Sequence, residues 1–140
     1  PQSYRTVRGS TFEKSVILEQ SIFFEIGMNI RNNANAIIQH GTMCLIDRNA
    51  LTKVGGWGEW CITEDTELGI RLFKEGYEAV YLGMQLGSGI PPATFEDYSK
   101  QRFRWVYGAV RIMLTYWKDF FGFGSKLTLK QRYYFITGWI

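Results

Sequence analysis

Gln101, Arg104, Trp105 and Gly108 fall at i, i+3, i+4 and i+7, so on a helix they share one stripe. A buried stripe would ordinarily be Leu, Ile or Val. This one offers an amide, a guanidinium, an indole and a gap where no side chain stands. The guanidinium can fork two donors onto a phosphate. The indole gives a flat face for the C–H side of a sugar ring, and glycine lets a backbone or a ligand come close. Such a stripe could form the floor under a phosphorylated carbohydrate. The plainer reading of Trp105 is a core aromatic on an amphipathic helix.

A second constellation is Thr63-Glu64-Asp65, followed by Glu67. With Thr63 as N-cap, Glu64 and Asp65 occupy a first helical turn, where the helix dipole favours anions by roughly 0.3–1 kcal/mol. Ordinary helix-start chemistry therefore accounts for the acidic pair by itself. The chemical alternative makes Asp65 a general base that takes a hydroxyl proton as the oxygen attacks, a role contributing about 10²–10⁴-fold.

The elements that must carry these groups alternate. Thr11 to about Arg31 reads as a helix with Phe12, Val16, Phe23, Ile26 and Ile30 on one side, ended by Asn32, Asn33 and Asn35. Residues 36–38 and 42–46 look like strand, with a bulge expected at His40-Gly41. Asn49 to Val54 is a short helix stopped by Gly55-Gly56, and Thr63 starts a helix that runs to Glu75 and ends at Gly76. Residues 77–82 read as strand and 83–92 as loop. Thr94 caps a long helix to about Trp117, with Asp97 in capping-box position. The pattern is mixed α/β.

Thr63-Glu64-Asp65 followed about 35 residues later by Gln101-x-x-Arg104-Trp105 resembles the signature of family 2 glycosyltransferases of the cellulose-, chitin- and hyaluronan-synthase type. Gly41-Thr42, Asp47 to Leu51, Val54-Gly55-Gly56-Trp57, Arg71-Leu72 and Gly76-Tyr77 follow in the family's order. The resemblance implies the C-terminal, acceptor-side half of a GT-A nucleotide-diphospho-sugar transferase domain over residues 1–117. Residues 118–140 would then be an interfacial, pre-transmembrane segment.

By the same resemblance Asp65 would be the catalytic base for inverting attack on the donor's anomeric carbon. Glu64 and Thr63 would shape its site, Thr63 mainly as a cap. Gln101 and Arg104 would hold the nucleotide diphosphate, and Trp105 would stack beneath the acceptor sugar. Gly41 would admit donor or acceptor, with His40 beside it as a contact or simply a polar residue at a strand break. The donor would be a UDP-sugar, UDP-glucose by default, and the acceptor a growing β-glycan. Mg²⁺ or Mn²⁺ would be bound mainly by residues outside this chain, because no Asp-x-Asp occurs in it. The family's paired arginines after the Gly-Thr strand are Asp47-Arg48 here. Residues 1–5 resemble the strand just past the missing motif. The chain would then be a fragment, inactive alone, of a protein at the cytoplasmic face of the cell membrane.

Composition sets the outer limits. The 140 residues suffice for one domain and a real core, and 16% aromatic residues is high. A net charge of +3 without a basic cluster argues against a nucleic-acid partner. Cys44 and Cys61 have neither metal nor redox spacing and read as free thiols. No secretory leader appears, and no apolar run reaches the roughly 18 residues of a membrane span. Tyr116, Trp117, Phe120, Phe121 and Phe123 interleave with Lys118 and Lys126, as in segments that meet membrane lipid, and residues 133–140 are almost wholly apolar. Packing on the domain's own core is the alternative for that tail. A carbohydrate-binding module using Trp57, Trp60 and Trp105, or a membrane-surface interaction protein, would be the other functional classes.

Overall fold

The computed structural model describes residues 2–138; Pro1 of the expected first strand and Trp139 and Ile140 of the apolar tail lie outside the described residues. The order is β1 (Gln2–Tyr4), α1 (Thr11–Ile22), a π-helical segment (Phe23–Gly27), α2 (Met28–Asn33), α3 (Arg48–Lys53), α4 (Glu64–Lys74), β2 (Gly87–Gly89), α5 (Phe95–Thr115), α6 (Trp117–Phe121) and α7 (Leu129–Thr137). β1 and β2 pair in parallel, with Ser3 opposite Ser88. The domain is thus mixed: helices around a small parallel sheet.

α1 begins where Ser10 accepts the Glu13 backbone N–H at 3.1 Å and the Glu13 carboxylate accepts the Gly9 N–H at 2.9 Å. The single expected helix to Arg31 is broken by the π-helical turn, and its buried line differs from the expected one. Glu13, Val16, Gln20, Phe24 and Met28 are buried, whereas Ile26 and Ile30 are exposed. Steps of four residues drift by about 40° around a 3.6-residue helix. The wider π turn takes up that drift and keeps Phe24 and Met28 on the inner side.

Helix ends follow local chemistry closely. After α4, Gly76 (φ 82°) donates to the Phe73 carbonyl at 3.0 Å and Tyr77 donates to Leu72 at 3.1 Å, which is the Schellman pattern. The same pair of bonds closes α2 at Asn35 (φ 49°), with Asn35 donating to Asn32 and Ala36 to Arg31. Thr94 caps α5 by accepting the Asp97 N–H at 3.1 Å, while its hydroxyl donates to the Asp97 carboxylate at 2.7 Å. α5 stops at Thr115 instead of Trp117, and α6 starts at Trp117 after the single residue Tyr116.

The expected strands at 36–38, 42–46 and 77–82 are absent as strands. Residues 36–38 are buried and divide two apolar clusters, one around Phe24, Met28 and Ile37, the other around Ile38, Cys61, Ile70, Phe73, Ile112, Phe120, Leu127 and Phe135. They lie inside as strand residues would, yet no ladder pairs them among the described residues. In 42–46 the left-handed Met43 (φ 56°) breaks any extended run, and the Cys44 thiol donates back to the His40 carbonyl at 2.6 Å. Residues 77–82 run past α2, where Asn35 Oδ1 accepts the Ala79 N–H at 3.1 Å and Asn32 Oδ1 accepts that of Tyr81 at 2.8 Å. Side-chain amides stand there in place of a neighbouring strand.

The C-terminal segment packs on the larger cluster through Phe120, Leu127 and Phe135, and the Lys74–Asp119 ion pair (2.8 Å) joins α4 to α6. Trp117, Phe121 and Phe123 stay exposed. No helix among the described residues is long and apolar enough to cross a membrane. Asn35 combines a left-handed backbone with two anchoring bonds, since its carbonyl also accepts from Gln131 Nε2 at 2.8 Å. Asn35→Ala should cost about 1–3 kcal/mol in urea unfolding, from backbone strain and the orphaned Ala79 N–H. Asn35→Gly, which restores only the backbone freedom, should cost less.

Candidate functional site

Asp65 stands in the first turn of α4, with Oδ1 accepting the Thr66 N–H at 2.8 Å. The loop of residues 39–44 covers it from one side. Thr66 Oγ1 donates to the Gln39 carbonyl at 2.9 Å, tying that loop to the helix. A Cβ built on Gly41 would lie 3.4 Å from Asp65 Oδ2, its one near neighbour outside the adjacent chain. Any side chain at 41 would therefore cover the carboxylate, and glycine leaves it open. His40 packs edge-on against Phe24 (centroids 5.0 Å apart) within electrostatic reach of Asp65. Burial pushes the imidazole below its ordinary pKa, and the Asp65 charge offsets only part of that. Partial desolvation likewise pushes the Cys44 thiol up, against the hydrogen bond to the His40 carbonyl. Both cysteines are free thiols, Cys44 exposed and Cys61 buried.

Thr63 occupies the N-cap position of α4 without capping it, because its side chain accepts no helical N–H. The expected capping role is corrected accordingly. Its hydroxyl instead meets the Cys61 thiol at 3.4 Å, and the residue is buried against α5. A Cβ on Gly108 would fall 2.5 Å from Thr63 Cγ2 and 2.9 Å from its Cβ. The gap in the sequence stripe is thus filled by Thr63, and this contact sets the turn bearing Asp65 against α5.

The rest of the stripe divides. Gln101 and Arg104 line one groove of about 920 Å³, together with Lys100, Ile90, Pro91 and Pro92. Arg104 is exposed and lines it. Trp105, 37% exposed, does not line that groove. The Arg102 guanidinium lies over its ring, 4.5 Å from the centroid. The structure therefore groups Asp65, Gly41 and His40 in one place, and Gln101 with Arg104 in another. The Thr63–Gly108 contact joins the two, and Glu64 stands half-buried beside Asp65.

Sequence reasoning missed a buried ionic network just behind the acidic turn. Glu67, 1% exposed, accepts from Arg71 Nε at 2.8 Å and Nη2 at 2.7 Å, and from the hydroxyl of Tyr116 just past the end of α5. Arg71 Nη2 also donates to the Gly56 carbonyl at 2.7 Å, and Nη1 to that of Val54. A Cβ on Gly58 would sit 2.5 Å from Glu67 Oε2, so the 54–58 loop closes directly over the carboxylate. Burial, then the hydrogen bond to Glu67 and its charge, raises the Tyr116 pKa well above the usual phenol range. The i, i+4 spacing of Glu67 and Arg71 was visible in the sequence; nothing there marked Tyr116. Trp57 and Trp60 flank Gly58 on this loop and are exposed. Among the described residues no three His, Cys, Asp or Glu side chains converge as a divalent cation requires. The residues present do not by themselves fit Mg²⁺ or Mn²⁺, and no step below runs through one.

Residues 2–140 match the family model described as glycosyl transferase family group 2. The chain belongs to that family. Over 95 residues it is 32% identical to the "Probable glycosyltransferase YdaM" of Bacillus subtilis (strain 168), covering 68% of this chain and 23% of that protein. It is 29% identical to the "Cellulose synthase catalytic subunit [UDP-forming]" of Xanthomonas axonopodis pv. citri, over 67% of this chain and 13% of the subunit. It is 26% identical to the "Probable glucomannan 4-beta-mannosyltransferase 7" of Oryza sativa subsp. japonica, over 66% of this chain and 17% of that protein. The matched stretch thus spans less than a quarter of these relatives. The expectation of a cellulose-synthase-like family 2 glycosyltransferase is borne out.

Two outcomes follow for this glycosyltransferase chain. Gly108→Ala drives a methyl group into Thr63 and should cost about 1–3 kcal/mol in urea unfolding. In a Thr63→Ala background the cost should shrink, giving a coupling of about 0.5–3 kcal/mol in the double-mutant cycle. His40 is the only histidine, and its folded pKa lies below the unfolded value. The unfolded chain therefore binds a proton first as pH falls. Stability should be flat above pH about 6.5 and decline from there toward the depressed folded value. His40→Gln should flatten that part of a urea-midpoint profile measured between pH 7 and 5.

Proposed function

We propose that this chain is the acceptor-side half of an inverting glycosyltransferase domain of GT-A fold, moving a sugar from a UDP-sugar to a growing β-glycan. The observation that carries this reading is the Thr63–Gly108 contact, which holds the acidic turn against the helix bearing Gln101, Arg104 and Trp105. Asp65 takes the proton of the acceptor hydroxyl as its oxygen attacks the anomeric carbon. The open space at Gly41 gives that hydroxyl its approach. Neutral His40 beside it adds a polar contact without competing for the acceptor as a second charge. Arg104, with Gln101, takes the diphosphate and stabilises its charge as it departs. Trp105 offers its free face to the acceptor ring.

UDP-glucose is the preferred donor in this reading, supported by the relatives named as UDP-forming cellulose synthase subunits. The donor-binding half and the Mg²⁺ or Mn²⁺ site belong to residues outside this chain, so the chain alone would not turn over. We place it at the cytoplasmic face of the cell membrane. Exposed Trp117, Phe121 and Phe123, with Lys118 over the Trp117 ring at 5.7 Å, support contact with membrane lipid.

The test is transfer of radiolabelled sugar from UDP-glucose and UDP-N-acetylglucosamine by the full-length protein in membranes, with and without Mg²⁺. Metal-dependent polymer is expected, and Asp65→Asn should cut turnover by about 10²–10⁴-fold with donor binding intact. Near-normal turnover in that variant would remove Asp65 as base. Retained oligosaccharide binding with transfer from neither donor would favour a carbohydrate-binding module.

A further inference from the structure

Of the two arginines in Gln101-Arg102-Phe103-Arg104-Trp105, only Arg104 faces the groove. Arg102 is committed elsewhere. Its guanidinium lies between two rings of its own helix, 4.8 Å from the Tyr98 centroid and 4.5 Å from that of Trp105. These are i−4 and i+3 neighbours, the spacings at which helical side chains meet. A guanidinium is flat and weakly hydrated, so it stacks on aromatic faces more readily than an ammonium does. The far side of the stack is tied to α1. Glu19 Oε1 lies 2.8 Å from Arg102 Nη2, and Glu19 Oε2 accepts from the Tyr98 hydroxyl at 3.0 Å. Tyr98 is wedged in turn between Phe95, nearly parallel at 28°, and Phe12 of α1, edge-on at 85°.

One carboxylate thus meets two members of a pile that ends on the Trp105 indole, Tyr98 by a hydrogen bond and Arg102 by charge, since Arg102 Nη2 makes no hydrogen bond. We infer that Arg102 is the positioning residue of the acceptor platform. It closes one face of Trp105 and holds the ring so that only the opposite face can receive a sugar. A bare indole on an exposed helix turn would sample several rotamers, each presenting a different face. With Arg102 and Glu19 in place, orientation is set before the acceptor arrives and its ordering cost is reduced. The inference rests on the reading above that Trp105 meets the acceptor. It adds which face does so and which residues decide it.

Two readouts separate its failure from failure of that reading. In the chain labelled with 5-fluorotryptophan, the Trp105 fluorine resonance, assigned with Trp105→Phe, should move in Arg102→Met. It should move less, in the same direction, in Glu19→Gln, which keeps the cation and is the gentler change for folding. An unmoved resonance in both variants overturns the brace whether or not sugar is transferred. In the transfer assay with cellotetraose as acceptor, Arg102→Met should raise the acceptor KM about tenfold, with kcat at saturation and the donor KM changed less than about twofold. Arg102→Lys should recover part of the loss, since a cation over the ring is restored. A fall in kcat with acceptor KM unchanged would overturn positioning. Absence of transfer by the wild-type protein would sink the transferase reading, leaving the fluorine shift to decide the brace.

Discussion

The arrangement depends on a place where a side chain is missing. Gly108 lets α5 approach Thr63 closely enough that even a methyl group would overlap it. Without that approach, the turn carrying Asp65 and the helix carrying Gln101, Arg104 and Trp105 would be separate features of the surface. Thr63 contributes by giving up the usual duty of its position. Its hydroxyl caps nothing and points to Cys61, while the first helical bond is made by its carbonyl, which accepts the Glu67 N–H at 3.1 Å. A threonine selected only as a cap would not need to be buried against a neighbouring helix.

One contact point would leave α5 free to roll, and the Glu67–Arg71–Tyr116 network supplies the second. Tyr116 lies eight residues after Gly108, about 12 Å along the helix. Two anchors at that separation fix the rotation of α5, and with it which residues face the acidic turn. Burying Glu67 is costly, and the cost is offset because Arg71 and Tyr116 satisfy the carboxylate. Breaking such a group by removing one partner typically costs about 3–5 kcal/mol, because the remaining charge is stranded. The same arginine reaches the carbonyls of Val54 and Gly56. The glycine-rich loop before Thr63 is therefore set by the same ion pair that sets α5.

What the sequence revealed divides along physical lines. Features determined within a few residues were legible: the Asn35, Gly55 and Gly76 helix ends and the Thr94 cap. So was the family, because two short motifs in order carry it. The strands were not legible, since a ladder depends on partners far along the chain. Residues 36–38 and 77–82 have strand composition and strand-like burial, but their backbone partners are side-chain amides or absent as a ladder. Residues 42–46 failed for a local reason with no sequence warning, a left-handed Met43. In the site, periodicity found the stripe and could not say that it divides. Arg102 and Arg104 are indistinguishable by composition, and only the position of Glu19 on α1 shows which is held against Trp105.

The stretch from Tyr77 to Ile90 shows how far this chain's burial goes. Tyr77, Ala79 and Tyr81 turn inward, while Val80 and Leu82 between them are exposed, as are Met84, Leu86 and Ile90 beyond. Apolar residues on both sides of an extended segment are the mark of a sheet covered on both faces, as in α/β domains with parallel strands. Here α2 and the Phe24–Met28–Ile37 cluster cover one face, and within the stretch Gly87–Gly89 pairs in parallel with Gln2–Tyr4. Covering a large aliphatic side chain is worth about 1.5–3 kcal/mol, so the other face holds a large reserve of stabilisation. The composition of 77–82 is strand-like, yet the segment forms no ladder among the described residues, and the Asn32 and Asn35 amides take the N–H groups of Tyr81 and Ala79 instead.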